Sequence, residues 1–275
     1  MNLTSFTSLR WAYQLHYYLC FRTRRKRPLF AGNLTAMSEQ LKEICAMHDY
    51  HLLDYQAYSD QIRFLVSLQP SQRISKVIQT IKSNASRELS QQLDLPSPVW
   101  ARGYFARSAG RVKLDTIKKY LEDQSEHHGY ANRILPPVYQ YRERRPVQLA
   151  SPHAIFDLTH HVVMATYKRK GIFDSKVGEA LANYWLKVAR ARGFAIDQLS
   201  IVPDHVHLIV RIVPKMSIEE CVLILMNNGQ HFMGKHFPEN LVETGVAQLW
   251  QPSAFAATSG RVTTALLKKW LDASD

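Results

Sequence analysis

The chain is built twice, and that repetition limits the folds open to it. Tyr50 to Val66 aligns with Phe194 to Val210 at an offset of 144 residues, which carries Asp60 onto Asp204. Each segment holds two short apolar runs around its aspartate and continues to a proline, Pro70 or Pro214. Val99 to Leu121 aligns with Leu249 to Leu271 at an offset of 150, matching Trp100 with Trp250, Phe105 with Phe255 and Lys118-Lys119 with Lys268-Lys269. Gly110-Arg111-Val112 also returns, as Gly260-Arg261-Val262.

The element pattern repeats too. In the first copy, β-type runs are expected near 13–21, 50–55, 61–68 and 104–107. Helix-period runs lie near 35–48, 73–91 and 114–122. The second copy has counterparts starting near Ile155, Lys176, Phe194, His205, Ser217, Ala254 and Thr263. This order is β-α-β-β-α-β plus a terminal helix. The predicted class is α+β, with two tandem ferredoxin-like or RRM-like domains. Each has an antiparallel sheet with helices on one face, and together they form a pseudo-dimer. Repeat boundaries are expected at 1–124 and 152–275. Between them, 125–151 reads as a linker, since Gly129, Pro136-Pro137, the run Arg142 to Arg145 and Pro146 argue against a packed helix.

A formal net charge of +12 over 275 residues favours a polyanionic partner, nucleic acid first. Cys20, Cys45 and Cys221 are far apart and form neither a metal motif nor a disulfide framework. A reducing cytoplasm fits best. No signal-peptide pattern and no run of eighteen apolar residues supports a membrane role.

The chemistry concentrates in Pro203-Asp204-His205-Val206-His207. On a strand, His205 and His207 at i and i+2 share a face. An isolated pair of this kind is often just a polar sheet face. Here the flanking residues are apolar, so two imidazoles on a central strand are costly without a partner. A divalent cation would provide one. Mg²⁺ and Mn²⁺ are the candidates, with Mn²⁺ the better match to imidazole. The first copy has Gln61 and Arg63 at these positions. Its Arg63 would repel a cation.

The first copy has something the second lacks. Tyr120 and Gln124 lie four residues apart on one expected helical face. A phenol so placed can attack a phosphodiester whose charge a metal stabilises. The second copy has Trp270 and Ser274 instead. Each copy has lost what the other kept.

Taken together, Pro203 to Val210, Trp250 to Gly260 and the Tyr120-x-x-x-Gln124 helix resemble the single-tyrosine HUH transposases of the IS200/IS605 type. The segment Tyr18 to Phe30, echoed by His161 to Phe173, adds to the match, which covers nearly the whole chain twice. The resemblance implies His205, His207 and Gln124 as metal ligands and Tyr120 as nucleophile. In that family the histidine pair of one subunit is completed by the tyrosine helix of its partner. This chain is therefore expected to have one composite active site, either within the chain or in a further homodimer. The second site, from Gln61, Arg63, Trp270 and Ser274, would be degenerate.

The resemblance also implies metal-dependent nicking and rejoining of single-stranded DNA at hairpin-marked sites through a 5′-phosphotyrosine, in a cytoplasmic, nucleoid-associated protein. Expected DNA contacts are Arg22, Arg24, Arg25, Lys26 and Arg27 after the first strand, and their echo Lys168, Arg169 and Lys170. Lys82 and Arg87 on the second helix join them. Such cations set affinity rather than sequence choice. The competing readings are a domesticated, non-catalytic DNA-hairpin-binding protein, an RNA-binding sheet, and a metal-dependent hydrolase using water.

Overall fold

The computed structural model describes residues 3–93, 97–110 and 136–260. Among them are two mixed-direction sheets and five helices, an α+β architecture. The first half runs β1 (Arg10–Gln14), β2 (His16–Arg22), α1 (Leu34–Met47), β3 (His51–Ala57), β4 (Gln61–Ser67), α2 (Ile74–Leu93) and β5 (Tyr104–Ala109). After β6 (Tyr139–Arg142), the second half runs β7 (Ala154–Asp157), β8 (Thr159–Thr166), α3 (Ser175–Arg192), β9 (Ala195–Val202) and β10 (His205–Arg211). It ends with α4 (Ile218–His236), α5 (Pro238–Glu243) and β11 (Trp250–Ser259). The terminal helices expected after Gly110 and Gly260 lie outside the described residues.

Local chemistry accounts for these elements. Along β4, Ile62, Phe64 and Val66 are buried and alternate with half-buried Gln61, Arg63 and Leu65, the two-residue period of a strand with one core face. Phe64 therefore faces the core and is not on the open face where an RNA-binding sheet would stack bases. Helix α3 starts where the Asp174 carboxylate accepts from Val177 N at 2.8 Å. Helix α4 starts where Ser217 Oγ accepts from Glu220 N at 3.1 Å. Its first turn carries Glu219 and Glu220 and its last Lys235 and His236, the charge order that suits a helix dipole. Under the second sheet, Val206, Leu208 and Val210 pack with Leu181, Trp185 and Leu225.

One sheet has the order β3-β4-β2-β5-β7 and the other β1-β11-β8-β10-β9-β6. The first strand of each copy, expected as one element, is two. Breaks fall at Leu15 and Leu158, both buried. Before its break each strand belongs to the other half's sheet: β1 runs parallel to β11, and β7 parallel to β5. After it, β2 and β8 are antiparallel members of their own sheets.

The crossing is held by bonds that come in matched pairs. Thr258 Oγ1 accepts from His16 N at 2.9 Å, and Ser108 Oγ accepts from Thr159 N at 3.1 Å. Away from the crossing, Ser75 N donates to Pro214 O at 2.9 Å and Glu219 N to Pro70 O at 3.0 Å. Between the halves, Tyr17 Oη and His160 Nε2 share a buried hydrogen bond of 2.8 Å.

The expected linker holds β6, an edge strand antiparallel to β9. Half-buried Tyr139 and Tyr141 alternate with exposed Gln140 and Arg142, a strand pattern too short to stand out beside Pro136-Pro137.

Candidate functional site

Strand β10 lies between β8 and β9, so its residues have neighbours on both sides. Val206 and Leu208 point into the helix-covered core. His205 and His207 therefore share the opposite face, as their spacing predicts. Their ring centroids are 4.9 Å apart, and each residue is 5% exposed.

Both rings are oriented through Nδ1. His205 Nδ1 lies 2.6 Å from Asp204 Oδ1, and Arg169 Nε donates to Asp204 Oδ2 at 2.9 Å. Burial pushes the Asp204 carboxyl up, but the His205 hydrogen bond and the His205 and Arg169 charges outweigh it and hold it below the usual carboxylate range. His207 Nδ1 lies 3.2 Å from His161 Nε2, and those two rings stack 10° from parallel. Burial brings the His161 pKa down to about 4, so this imidazole is neutral at pH 7 and can accept a hydrogen bond. With Nδ1 turned to a neighbour, Nε2 is the nitrogen left on each ring to bind a metal, an arrangement in which the other nitrogen is tied down.

The donor set thus fits a divalent cation in ligand type and orientation but supplies two ligands. Among the described residues, no group of three or more His, Cys, Asp or Glu is arranged to hold a metal. Tyr120 and Gln124 lie outside the described residues, as do Trp270 and Ser274.

His161 and Asp204 are the neighbours of the pair to which the sequence assigned no role. Asp204 stood next to His205 in plain view. His161 needed the pairing of β8 with β10, which sets Val163 opposite His207 and His161 one step further along the same face.

On the first sheet, Gln61 and Arg63 occupy the matching places on β4. Arg63 Nε donates to Gln61 Oε1 at 3.5 Å, and its guanidinium lies 4.5 Å from the centre of the Tyr58 ring. Cys20 donates its thiol to Gln61 Oε1 at 3.8 Å, and burial pushes that thiol up to about 12. A neutral thiol and a guanidinium are poor company for a cation.

The expected DNA-contacting cations separate into groups. Arg24, Arg25 and Lys26 form an exposed turn after β2, and Lys168 to Lys170 its echo after β8. In both turns two consecutive basic residues have positive φ: Arg25 and Lys26 at 57° and 53°, Lys168 and Arg169 at 54° and 56°. Arg27 Nη2 donates to Pro98 O at 2.9 Å. Arg87 is exposed and paired with Glu88 at 3.0 Å. Two residues differ from the expectation of a surface cation. Arg22 is 4% exposed. Lys82 turns inward, donating to Ala101 O at 2.8 Å, Gly103 O at 2.9 Å and Arg102 O at 3.3 Å. Burial lowers its pKa to about 8. Those carbonyls take the donors a phosphate would need.

A family model described as "Transposase IS200 like" matches this chain twice, over residues 11–124 and 154–274. The ISDra2 transposase TnpA of Deinococcus radiodurans is 23% identical over 118 residues, spanning 43% of this chain and 84% of the relative. A crystal structure assigned to a transposase from Deinococcus radiodurans R1 is also 23% identical, covering 46% of this chain and 96% of its own, with a TM-score of 0.38. A REP-associated tyrosine transposase bound to a REP hairpin is 10% identical, covering 45% and 68%, with a TM-score of 0.30. Among the described residues no helix is long and apolar enough to cross a membrane.

Proposed function

The chain belongs to the IS200-like transposase family, and from that premise we propose that it nicks and rejoins single-stranded DNA at one composite site. The two halves act as a fused pseudo-dimer of ferredoxin-like domains. The first half supplies Tyr120 and Gln124; the second supplies His205 and His207. The observation that carries this reading is the histidine pair itself: two imidazoles on one face, each oriented through Nδ1 by a neighbour, in a chain that the family model matches twice.

In this reading His205, His207 and Gln124 hold Mg²⁺ or Mn²⁺. A bound ion would polarise a non-bridging phosphate oxygen and offset the charge that develops there. Asp204 and His161 fix the ring orientations. Tyr120 Oη attacks phosphorus, and its proton passes to solvent. The P–O3′ bond breaks, and the departing strand takes up a proton to end in a 3′-hydroxyl. The 5′ phosphate stays on Tyr120 as a phosphodiester. Attack by another 3′-hydroxyl reverses the step, so the bond energy is conserved and no nucleotide cofactor is consumed. Hairpins are the expected marks of the cleavage site, as the family resemblance implies.

The test is a covalent adduct on a denaturing gel, formed from full-length protein, Mn²⁺ and labelled single-stranded hairpin oligonucleotides. Wild type should form it; Tyr120→Phe and the double variant His205→Ala/His207→Ala should not. An adduct in Tyr120→Phe overturns the nucleophile. Binding without any adduct in wild type would favour the non-catalytic hairpin-binding protein instead.

A further inference from the structure

The two halves differ along one sheet edge. Strand β9 is the counterpart of β3, and its outer edge is covered by β6, which runs antiparallel to it. Val138 N donates to Ile201 O and Glu143 N to Asp197 O, each at 2.8 Å. The added strand also packs on helix α3: a Cβ at Gly178 would lie 3.1 Å from Tyr139 Cβ and 3.3 Å from Val138 Cγ2. Strand β3 is likewise the edge of its sheet, with β4 on one side and no strand among the described residues on the other.

Three observations mark this edge as one that takes a strand. The first is space. A cleft of about 460 Å³ lies between α1 and β3, lined by Lys42, Cys45 and Ala46 on the helix side and by Tyr50 to Tyr55 on the strand side. The offset of 144 that relates β3 to β9 holds in the helices, because Tyr50 N donates to Cys45 O at 2.9 Å and Phe194 N to Ala189 O at 3.1 Å. It carries Gly178 onto Leu34, so a side chain stands where the second half leaves room for β6, and the open space lies nearer the other end of β3. The second observation is the backbone. Tyr55 N–H donates to the exposed carboxylate of Asp54 at 2.9 Å, not to β4, and an incoming carbonyl can replace that bond. The third is apolar surface. Leu34, Met47 and Leu53 are three of the eight large apolar side chains exposed among the described residues, with Met47 at 73%. Exposed apolar side chains beside an open strand edge suit strand addition.

Charge decides the occupant. Residues 34–57 carry Glu39, Glu43, Asp49 and Asp54 against one lysine, Lys42, and no arginine, in a chain whose net charge is +12. Such a face repels nucleic acid. It also disfavours a second copy, because pairing two β3 edges sets carboxylates against carboxylates, and the register shift between Leu52 and Asp54 bends the strand away from flat pairing. We propose that the β3 edge and the α1–β3 cleft form a peptide-docking site: an extended, basic segment of a partner protein adds antiparallel to β3, with an aromatic or branched side chain at every second position entering the cleft. The strand that the second half already holds has this chemistry. Tyr139 and Tyr141 alternate with Gln140 and Arg142, and Arg144 and Arg145 follow. Main-chain bonds would supply affinity, while the cleft and the carboxylates select the sequence. The site is independent of the cleavage reaction.

The probe is a fluorescent synthetic peptide with the sequence of residues 138–145, titrated into the full-length protein by anisotropy, with amide exchange followed by mass spectrometry. Saturable binding and slower exchange in 51–57 are expected. The double variant Leu53→Lys/Asp54→Lys should bind on the order of tenfold more weakly. Both side chains are exposed, so the fold does not depend on them. A peptide with proline in place of Gln140, which cannot complete a strand ladder, should bind neither protein. Unchanged exchange in 51–57 overturns the proposal, as does equal binding by the variant. Faster exchange in 139–142 alone would mean that the probe only displaces β6, which also overturns it. A concentration-dependent dimer that protects 51–57 without any peptide would give the edge to a second copy instead.

Discussion

His160 shows how much a single position can cost and why it persists. The ring is fully buried between the halves, and desolvation brings its pKa down to about 3. It stays neutral and meets the Tyr17 hydroxyl. An unfolded chain binds a proton there near pH 6.5, whereas the folded chain resists it, so the unfolded state holds more protons between those values. Stability must therefore fall as the pH drops below about 6.5, and His161, lowered to about 4, adds to the trend. Urea denaturation between pH 7 and pH 4 should show this loss, and His160→Phe should flatten its slope even if it lowers the starting stability. An unchanged slope would mean that His160 does not set the acid response. The same positions show what one sequence can reveal. The shared face of His205 and His207 follows from a two-residue spacing alone. The His161 contact follows from strand register, which no local pattern contains. Lys82 read as a surface cation because its helix is basic; three loop carbonyls, unknown until the loop is placed, draw it inward.

At the scale of elements, the pattern of apolar residues predicted most helices and strands to within a few positions. It failed where one strand serves two sheets. Each break is a single buried leucine between polar neighbours, Gln14-Leu15-His16 and Asp157-Leu158-Thr159, which still reads as the alternation of one continuous strand. What the crossing does leave is a pair of glycines. Gly110 N donates to Gly260 O at 3.1 Å where the strand ends meet. A Cβ at Gly110 would run into the Thr258 carbonyl oxygen and approach Ser259 Cα to 3.1 Å. Gly260 has φ of 126°, which side chains rarely adopt. Both contacts are to backbone that is itself bonded across the crossing, so no flexible side chain can give way. Gly110→Ala should destabilise the protein by about 2–4 kcal/mol in urea denaturation. A loss near zero would show that the crossing relaxes freely. The repeated Gly-Arg-Val was visible in the sequence as a sign of duplication; the close approach gives the reason for its glycines.

For the whole molecule, each half completes the other's sheet. β1 is an edge strand of the second sheet, and β7 of the first. Strand β6 adds a third exchange by pairing with β9 although it lies before the second half. Further bonds cross as well: Asn227 holds the Phe6 backbone through N at 2.7 Å and O at 2.9 Å, and Trp11 Nε1 donates to Glu219 Oε1 at 3.1 Å. The covalent link is then dispensable once folding is complete. It raises the effective concentration of one half for the other during folding, while the exchanged strands hold them afterwards. A protease site placed in the exposed stretch between Arg144 and Val147, and cut in the folded protein, should leave both fragments in one peak with the mass of the intact chain by size exclusion with light scattering. They should separate in denaturant. Mutual completion also explains the Tyr17–His160 pair, since two copies of the first half would set tyrosine against tyrosine and two of the second histidine against histidine. Fragments that part in native buffer would mean that the exchanged strands contribute little and that the linker alone keeps the halves together.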